Sequence, residues 1–321
     1  MKTILLIDAF AIIHRAFFAI PELTTSEGVP TNAIYGFFLM VDKAISDFQP
    51  EYVAICFDTP KKTFRKELFK EYQSHRPETA AGFKIQIPII RDLIDISGLK
   101  RIEKPGFEAD DVIGTLSKKF SDEDIKILIL TGDKDIMQLS RSNVFVITPL
   151  KGISSINIYG PQQVMERFGI PPELIPDFKA LMGDSSDNYK GAPGIGPKTA
   201  TKLLQEYKSI EQLIENIETV MPQRIRTILK ENKETIILSK QLATILTDMK
   251  LDCELQDFKF EGFAPQMKEE LQKLQLFTLI GRLYRNKAKT SEQKLKAEQV
   301  QQIKKDIAKK RADNAQLDLF S

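Results

Sequence analysis

The sequence contains few of the residues that form disulfides or bind zinc. Cys56 and Cys253 are its two cysteines, and His14 and His75 are its two histidines. Two cysteines exclude a disulfide framework and fit a reducing compartment. Two histidines and two distant cysteines also make a structural zinc site unfavourable. Any bound metal ion should therefore be a hard cation held by oxygen ligands.

Long apolar runs are also missing. No stretch of 18 apolar residues occurs, and the first residues lead straight into a short apolar run without a signal-like segment. We therefore expect a soluble, intracellular protein with no membrane partner. The chain of 321 residues is long enough for two domains, and its hydrophobic fraction of 42% is sufficient for a core.

Charge is distributed unevenly along the chain. The net charge is +2, but residues 282–321 carry 11 Lys/Arg and 5 Asp/Glu, whereas the preceding part carries 35 basic and 39 acidic residues. The basic end predicts an anionic partner or a solvated linker. An acidic body disagrees with nucleic-acid binding unless its acids are gathered at a metal site.

Three apolar runs each lead into acidic residues. The runs cover residues 3–7, 51–57 and 126–130, and the acids that follow them are Asp8, Asp58, Asp133 and Asp135. Segments with helical apolar spacing separate the runs, which predicts an α/β domain with a mainly parallel sheet. Ligands of such sheets lie beyond the carboxyl ends of the strands, so we expect these acids to share a cation.

Two short stretches carry further clustered carboxylates. Residues 106–112 contain Glu108, Asp110 and Asp111, and residues 183–188 contain Asp184 and Asp187. The first stretch begins a helix, whose N-terminus stabilises one or two acids through its dipole. A third acid should need a cation or a proton, because two charges 4 Å apart repel by about 1 kcal/mol in water and about 4 kcal/mol at an effective dielectric of 20. A solvated, capped helix start is the alternative interpretation.

Residues 60–88 combine basic and aromatic side chains. The basic ones are Lys61, Lys62, Arg65, Lys66, Lys70, Arg76 and Lys84, and the aromatic ones are Phe64, Phe69, Tyr72 and Phe83. This mixture is typical of a segment that binds phosphates and stacks on bases. An amphipathic surface helix kept soluble by lysine would have the same composition.

A glycine turn precedes a helix that opens with proline. Gly194 and Gly196 form the turn, and Pro197 and Lys198 follow. Backbone N–H groups at such a helix start can bind an anion. Pro197 excludes a Walker loop, and the lack of a third glycine excludes the dinucleotide motif. The pattern fits a helix–hairpin–helix that binds duplex phosphates, with an ordinary turn as the alternative.

Together these motifs resemble the 5′-nuclease (5′-3′ exonuclease) domain of bacterial DNA polymerase I, which belongs to the flap endonuclease family. The resemblance covers residues 1 to about 281 and implies a PIN-like α/β fold, with a mainly parallel central sheet flanked by helices. It also implies a helical arch and a C-terminal helix–hairpin–helix region. The expected divisions are a nuclease domain over 1–175 with an arch at about 60–88, a duplex-binding domain over 176–281, a basic linker over 282–315 and a terminal peptide over 316–321.

The resemblance also implies the roles of individual residues. Two neighbouring Mg²⁺ or Mn²⁺ sites would use Asp8, Asp58, Glu108, Asp110, Asp111, Asp133, Asp135, Asp184 and Asp187. Catalysis would involve Asp8, Asp110, Gln73 and Arg76. DNA contacts would come from Arg65, Lys70, Tyr72, Arg76, Gly194, Gly196 and Lys198, with K⁺ at the hairpin. The terminal Gln316, Leu317, Leu319 and Phe320 resemble a peptide that binds the bacterial sliding clamp; a frayed tail is the alternative.

One position departs from the family pattern. The family has a Tyr-Lys pair in the arch, whereas Tyr72 is followed here by Gln73, and Arg76 is retained. The family's lysine neutralises the scissile phosphate, and losing one such group costs on the order of 10²–10³ in rate. We therefore expect slowed but measurable cleavage, with Lys70, one helical turn away, as a candidate substitute.

The expected function is a free-standing, monomeric, nucleoid-associated cytoplasmic nuclease. It would act as a structure-specific 5′-3′ exonuclease and 5′-flap endonuclease on branched or nicked duplex DNA, with two cations about 4 Å apart, in primer removal and DNA repair. A catalytically weakened DNA-binding accessory protein is the first alternative, favoured by Gln73 and opposed by the intact acids. An RNA-cleaving enzyme of related architecture is the second, and the glycine hairpin disfavours it.

Overall fold

The structure is a computed structural model that describes residues 2–75, 80–121, 124–149 and 156–285. The chain divides into two units, the first ending at Leu276 and the second beginning at Phe277. The described part of the second unit contains one helix, Phe277–Leu283. All other elements below belong to the first unit.

Six strands of the first unit form one sheet. They are β1 (Lys2–Asp8), β2 (Tyr52–Cys56), β3 (Lys100–Ile102), β4 (Ile125–Leu130), β5 (Val144–Pro149) and β6 (Ile156–Tyr159), in the order β3-β2-β1-β4-β5-β6. The first five strands in chain order pair in parallel, and β6 pairs antiparallel with β5. The predicted mainly parallel sheet is therefore confirmed.

Helices follow or separate the strands, and a second group of helices follows the sheet. Their bounds are α1 (Ala9–Ala19), α2 (Asn32–Phe48), α3 (Phe64–Leu68), α4 (Ala81–Asp95), α5 (Ala109–Lys119), α6 (Pro161–Phe168), α7 (Ile175–Met182), α8 (Pro197–Tyr207), α9 (Ile210–Glu215), α10 (Gln223–Glu231), α11 (Lys233–Ala243) and α12 (Pro265–Lys273). A short antiparallel pair, β7 (Gly183–Asp184) and β8 (Tyr189–Lys190), lies between α7 and α8. None of the described helices has the length and apolar composition needed to span a membrane.

The central strands pack apolar side chains on both faces. Ile4, Leu5, Leu6 and Ile7 of β1 are all fully buried, because a central parallel strand is covered by helices on each side. Continuous apolar runs of this kind therefore end where the chain leaves the core, and the next polar residue emerges at the carboxyl edge of the sheet.

The buried side chains form distinct clusters. One cluster joins the sheet to α5 and includes Ile245, Leu251 and Phe258 from late in the chain. Another lies among α7 to α11, around residues such as Leu181 and Leu204. Residues after α11 thus return to the sheet. The predicted domain boundary between 175 and 176 stays a prediction.

Candidate metal centre and nucleic-acid interface

Asp8 lies at the carboxyl end of β1 and also caps α1. Its Oδ1 accepts a hydrogen bond from the backbone N–H of Ala11 at 3.1 Å, and its Oδ2 accepts one from the Thr131 hydroxyl at 2.6 Å. Burial, with repulsion from Asp58 and Asp133, raises the pKa of Asp8 to about 7 despite these hydrogen bonds. The protein therefore holds this carboxylate in one orientation among other acids.

The loop after β2 and the start of α5 bring further acids to the same edge. Asp58 Oδ1 accepts a hydrogen bond from the backbone N–H of Ala109 at 2.9 Å. Desolvation, together with repulsion from Asp133 and Asp8, raises the pKa of Asp110 well above its ordinary value. Such crowding costs free energy unless a cation or a proton compensates it. These acids, drawn from separate strand and helix ends, are suitable ligands for a hard divalent cation.

A second group of acids consists of Asp135, which lies after β4, and of Asp184 and Asp187, which lie in the β7–β8 hairpin. Ligand oxygens of Asp135, Asp184 and Asp187 all lie within 4.8 Å of one another. Asp133 and Asp135 are joined by a hydrogen bond from the Asp135 backbone N–H to Asp133 Oδ1 at 2.8 Å. Three carboxylates at this spacing fit a divalent cation with oxygen ligands.

Lys179 lies among these carboxylates, and the sequence analysis did not identify it. Its ammonium group forms ion pairs with Asp135 and Asp184. Burial and repulsion from Asp133 raise the pKa of Asp135 to about 7, although Lys179 opposes this effect. At Asp184, the effect of burial is outweighed by Lys179 and Ser186, so its pKa is lowered. A lysine inside the otherwise mainly apolar helix α7 was the available signal.

Arg65 and Asp111 lie in the protein interior, in positions that disagree with their expected roles. Arg65 is 2% exposed and Asp111 is fully buried. The guanidinium donates to both Asp111 oxygens, at 2.7 and 2.9 Å, and the Leu246 and Glu108 backbone N–H groups also donate to that carboxylate. This geometry does not agree with a DNA contact for Arg65 or a metal-ligand role for Asp111, because their polar atoms are already paired.

The start of α5 shows why both interpretations of its acids apply. Glu108 and Asp111 form a capping box at the helix N-terminus, which satisfies free N–H groups. Glu108 also accepts hydrogen bonds from the Thr63 hydroxyl at 3.1 Å and from Arg65 at 3.2 Å. The helix start is therefore capped, as the alternative interpretation held, while burial and repulsion from neighbouring acids raise the pKa of Asp110 well above its ordinary value.

Tyr72 and Gln73 contact the acids instead of facing outward. Tyr72 is 3% exposed, and its hydroxyl lies 3.2 Å from Asp187 Oδ2 and 3.3 Å from Glu108 Oε2. The Gln73 side-chain amide donates to Asp187 Oδ1 at 3.1 Å, and its backbone N–H donates to the Asp187 carbonyl at 2.9 Å. The buried position of Tyr72 does not agree with stacking on a base. Gln73 instead positions an acid of the second group.

Among the remaining predicted DNA contacts, Lys70 lies in the described part of the 60–88 segment. In the 60–88 segment, α3 is followed by turns up to residue 75, and Lys70 is exposed. Arg76 lies outside the described residues, as do Gln316, Leu317, Leu319 and Phe320. Their roles stay predictions.

The glycine turn has the backbone that the hairpin interpretation requires. Gly194 has a φ of +83°, and Gly196 caps α8, with Pro197 as its first residue. A side chain on Gly196 would meet no atom within 4 Å, so this side of the turn is open. Lys198 is exposed, while the intervening Ile195 is buried in the helical cluster and anchors the turn. An anion can approach the free N–H groups of α8 there.

The fold and the site together define the class of protein. It is an α/β protein with a mainly parallel sheet and a candidate site for divalent cations, formed by two groups of carboxylates at the carboxyl ends of the strands. A helical region with an open glycine turn follows the sheet. Comparison with known families agrees. Residues 3–169 match the model described as 5′-3′ exonuclease, N-terminal resolvase-like domain, and residues 170–266 match the 5′-3′ exonuclease, C-terminal SAM fold. The chain belongs to the 5′-3′ exonuclease family, and this membership implies nuclease activity.

Individual relatives and structures agree with this assignment. The chain is 38% identical over 281 residues to a 5′-3′ exonuclease of Aquifex aeolicus, covering 87% of this chain and 94% of the relative. It is 41% identical over 262 residues to DNA polymerase I of Bacillus subtilis, covering 82% of this chain but only 30% of the polymerase. A structure of the bacteriophage T5 flap endonuclease with DNA and metal ions matches with a TM-score of 0.64 at 18% identity, over 75% of this chain and 89% of that one. The last likeness shows the fold.

Proposed function

We propose that this protein is a structure-specific 5′-3′ exonuclease and 5′-flap endonuclease that hydrolyses DNA phosphodiesters with two Mg²⁺ or Mn²⁺ ions. The observation that carries the proposal is the gathering of acids from separate strand and helix ends at one sheet edge, where burial and mutual repulsion raise the pKa of Asp8 and Asp110. The family assignment and the DNA-bound T5 structure support DNA as the substrate. Primer removal and DNA repair are the processes that such an activity serves.

The two groups of acids differ in how the chain holds them. Asp8, Asp58 and Asp110, with Glu108 and Asp133, would hold one ion, and Asp135, Asp184 and Asp187 would hold the other. Bound divalent cations supply Lewis acidity and lower the pKa of a coordinated water. The chain contributes orientation: Thr131 holds Asp8, Ala109 holds Asp58, and Tyr72 and Gln73 hold Asp187. Orientation of this kind avoids reorganisation during the reaction.

Duplex DNA would be held mainly by its phosphates. Exposed lysines of the 60–75 segment and the open turn at Gly194 and Gly196 offer positive charge and free N–H groups. Binding should therefore be independent of sequence and should weaken as salt is added. K⁺ would bind at carbonyls of the glycine turn. Comparing the duplex affinity in K⁺ with that in a large organic cation tests this proposal.

The test is cleavage of a labelled 5′-flap duplex. We expect products with Mg²⁺ and none with EDTA, and we expect Asp110→Ala to lower the rate by about 10²-fold or more because an electrostatic contributor is lost. A matched RNA hairpin should be cleaved far more slowly. Binding of the flap with no Mg²⁺-dependent cleavage would instead support the accessory-protein function, which Gln73 favours.

The terminal peptide is proposed to bind the bacterial sliding clamp. Gln316, Leu317, Leu319 and Phe320 combine apolar side chains with a position after a basic segment, and short peptides with such anchors dock in apolar grooves. We further propose a cytoplasmic, nucleoid-associated monomer. Binding of the full chain to purified clamp, compared with Leu319→Ala and Phe320→Ala variants, tests the interaction, and unchanged affinity would exclude the peptide as its site.

A further inference from the structure

Lys179 brings a positive charge to two acids of the second group. Its ammonium group lies between Asp135 and Asp184, two of the three acids whose oxygens lie within 4.8 Å of one another. All three side chains of these ion pairs are largely buried, with 21% of Lys179, 15% of Asp135 and 11% of Asp184 exposed. A positive charge therefore already lies in the second group of acids.

The first group of acids (Asp8, Asp58, Glu108, Asp110 and Asp133) has a different electrostatic environment. The main charged neighbours of Asp8 and Asp110 are other carboxylates, and the electrostatic effect of each is to repel the next. A divalent cation that binds there meets uncompensated negative charge. A divalent cation that binds to Asp135 and Asp184 lies next to the Lys179 ammonium group unless it displaces it. Two positive charges in contact with the same carboxylates repel strongly in a partly buried environment.

A buried hydroxyl beside Lys179 provides a second, independent observation. The Tyr189 side chain is 4% exposed, and its hydroxyl makes no hydrogen bond within the described structure. It lies close enough to Lys179 and to the three acids to interact with them electrostatically. Buried hydroxyls are normally paired, so this oxygen is available to accept a hydrogen bond from a displaced ammonium group.

We propose that Lys179 is a built-in counter-cation of the second group of acids, which a divalent cation must displace toward Tyr189 before both metal ions are bound. The inference rests on the proposed function, since it assumes that both groups of acids take divalent cations. Lys179 would then regulate metal occupancy: the ion at Asp8 and Asp110 binds without a competing ammonium group, and the ion at Asp135 and Asp184 binds only at a higher concentration. The nuclease would thus require more divalent cation for full occupancy than its acids alone would need.

Lys240 supplies a matched control within the same chain. It also pairs with two acids, Asp177 at 2.8 Å and Glu211 at 2.7 Å, and its side chain is 24% exposed. Neither of its partners belongs to the two groups of acids at the sheet edge. Replacing Lys240 therefore removes a similar ion-pair arrangement without changing the charge at the candidate metal centre.

The experiment is calorimetric titration of the full chain with Mn²⁺. We expect two binding phases in the wild type. Lys179→Met should tighten the weaker phase by about tenfold or more, because the competing charge is gone. Lys179→Arg should leave that phase weak, Tyr189→Phe should weaken it further, and Lys240→Met should change neither phase. Lys179→Gln keeps a hydrogen-bonding group and serves if Lys179→Met does not fold.

Thermal unfolding gives a second readout that is independent of activity. In EDTA, Lys179→Met should unfold at a lower temperature than the wild type because Asp135 and Asp184 then repel each other. Saturating Mn²⁺ should raise the unfolding temperature of the variant more than that of the wild type.

In the titration, a weaker phase that is unchanged or weakened in Lys179→Met would overturn the inference and make Lys179 a structural ion-pair partner. A wild type that binds no Mn²⁺ would instead refute the proposed function, and the inference would fail with it.

Discussion

The guanidinium of Arg65 and the carboxylate of Asp111 form a two-point ion pair in the protein interior, with N–O distances of 2.7 and 2.9 Å. Arg65 also donates to the carbonyls of Leu242 and Thr244, each at 2.9 Å, and to Glu108 Oε2 at 3.2 Å. The pair therefore ties three parts of the chain together: helix α3, the acidic start of α5 and the end of α11. It holds the helix that carries Asp110 in place.

Removing Arg65 should destabilise the fold strongly. Arg65→Met leaves Asp111 as an uncompensated buried charge, which costs about 3–5 kcal/mol; Arg65→Lys keeps the charge but loses the planar fork and should cost less. The measurement is the free energy of unfolding in urea. Arg101→Met is the control, since Arg101 pairs with Asp95 and Glu103 at a more exposed site and should cost about 1 kcal/mol or less. Equal losses at the two positions would contradict the role of the buried pair.

Neighbouring acids in α5 should respond to amide substitution with opposite signs. Asp111→Asn weakens the ion pair with Arg65 and should lower stability. Asp110→Asn removes a carboxylate whose pKa is raised by desolvation and by its acidic neighbours, so the metal-free protein should be as stable as the wild type or more stable, while flap cleavage is lost. Melting temperature in EDTA and cleavage rate in Mg²⁺, measured on both variants, separate the two roles. A stability loss in Asp110→Asn would show that this acid is a structural residue.

We expect Gln73 to limit the cleavage rate, because its side chain carries no positive charge. Gln73→Lys can keep a polar contact with Asp187 and brings a positive charge to the acids. With Mg²⁺ high enough to saturate both groups of acids, flap turnover should therefore rise, within the 10²–10³ that one preorganised electrostatic group contributes in enzymes. Gln73→Ala loses the 3.1 Å hydrogen bond to Asp187 and should lower turnover.

The control for this comparison is Gln162→Lys. Gln162 is exposed and donates to Glu166 one helical turn away, so the variant adds the same charge on an unrelated surface. Turnover should stay at the wild-type value in this control. An unchanged rate in Gln73→Lys would mean that the glutamine is no handicap to cleavage.

The glycine turn should tolerate substitution differently at its two glycines. Gly194→Ala places a side chain at a φ of +83°, which strains the folded backbone and should destabilise by about 1 kcal/mol. Gly196→Ala meets no neighbouring atom and should leave stability unchanged. If a phosphate docks at the start of α8, as proposed, the added methyl group should hinder it, so duplex affinity should fall. Fluorescence anisotropy with a nicked duplex, alongside urea unfolding, tests both statements; unchanged affinity in Gly196→Ala would exclude the turn as a phosphate site.

Local pattern was sufficient to predict the sheet and the position of its acids. Short apolar runs such as residues 3–7, separated by segments with helical spacing, favour central strands, and a polar residue directly after such a run lies at the carboxyl end of its strand. This is why Asp8 and Asp58 lie where the sequence analysis expected them. The helix beginning near Glu108 follows from its preceding proline and glycine and its apolar spacing in the same way.

Packing in three dimensions set which partner each charged residue has. Arg65 and Asp111 are 46 positions apart, and Tyr72 and Asp187 are 115 apart, so neither contact follows from spacing along the chain. A basic or aromatic side chain is compatible equally with a DNA phosphate, a base or a buried carboxylate. The choice depends on how much water the folded chain leaves around it. Burial thus placed Arg65 and Tyr72 in contact with the acids, and it placed Lys179 between two carboxylates, because a buried cation is stabilised by opposite charge and a buried hydroxyl by a hydrogen-bond partner.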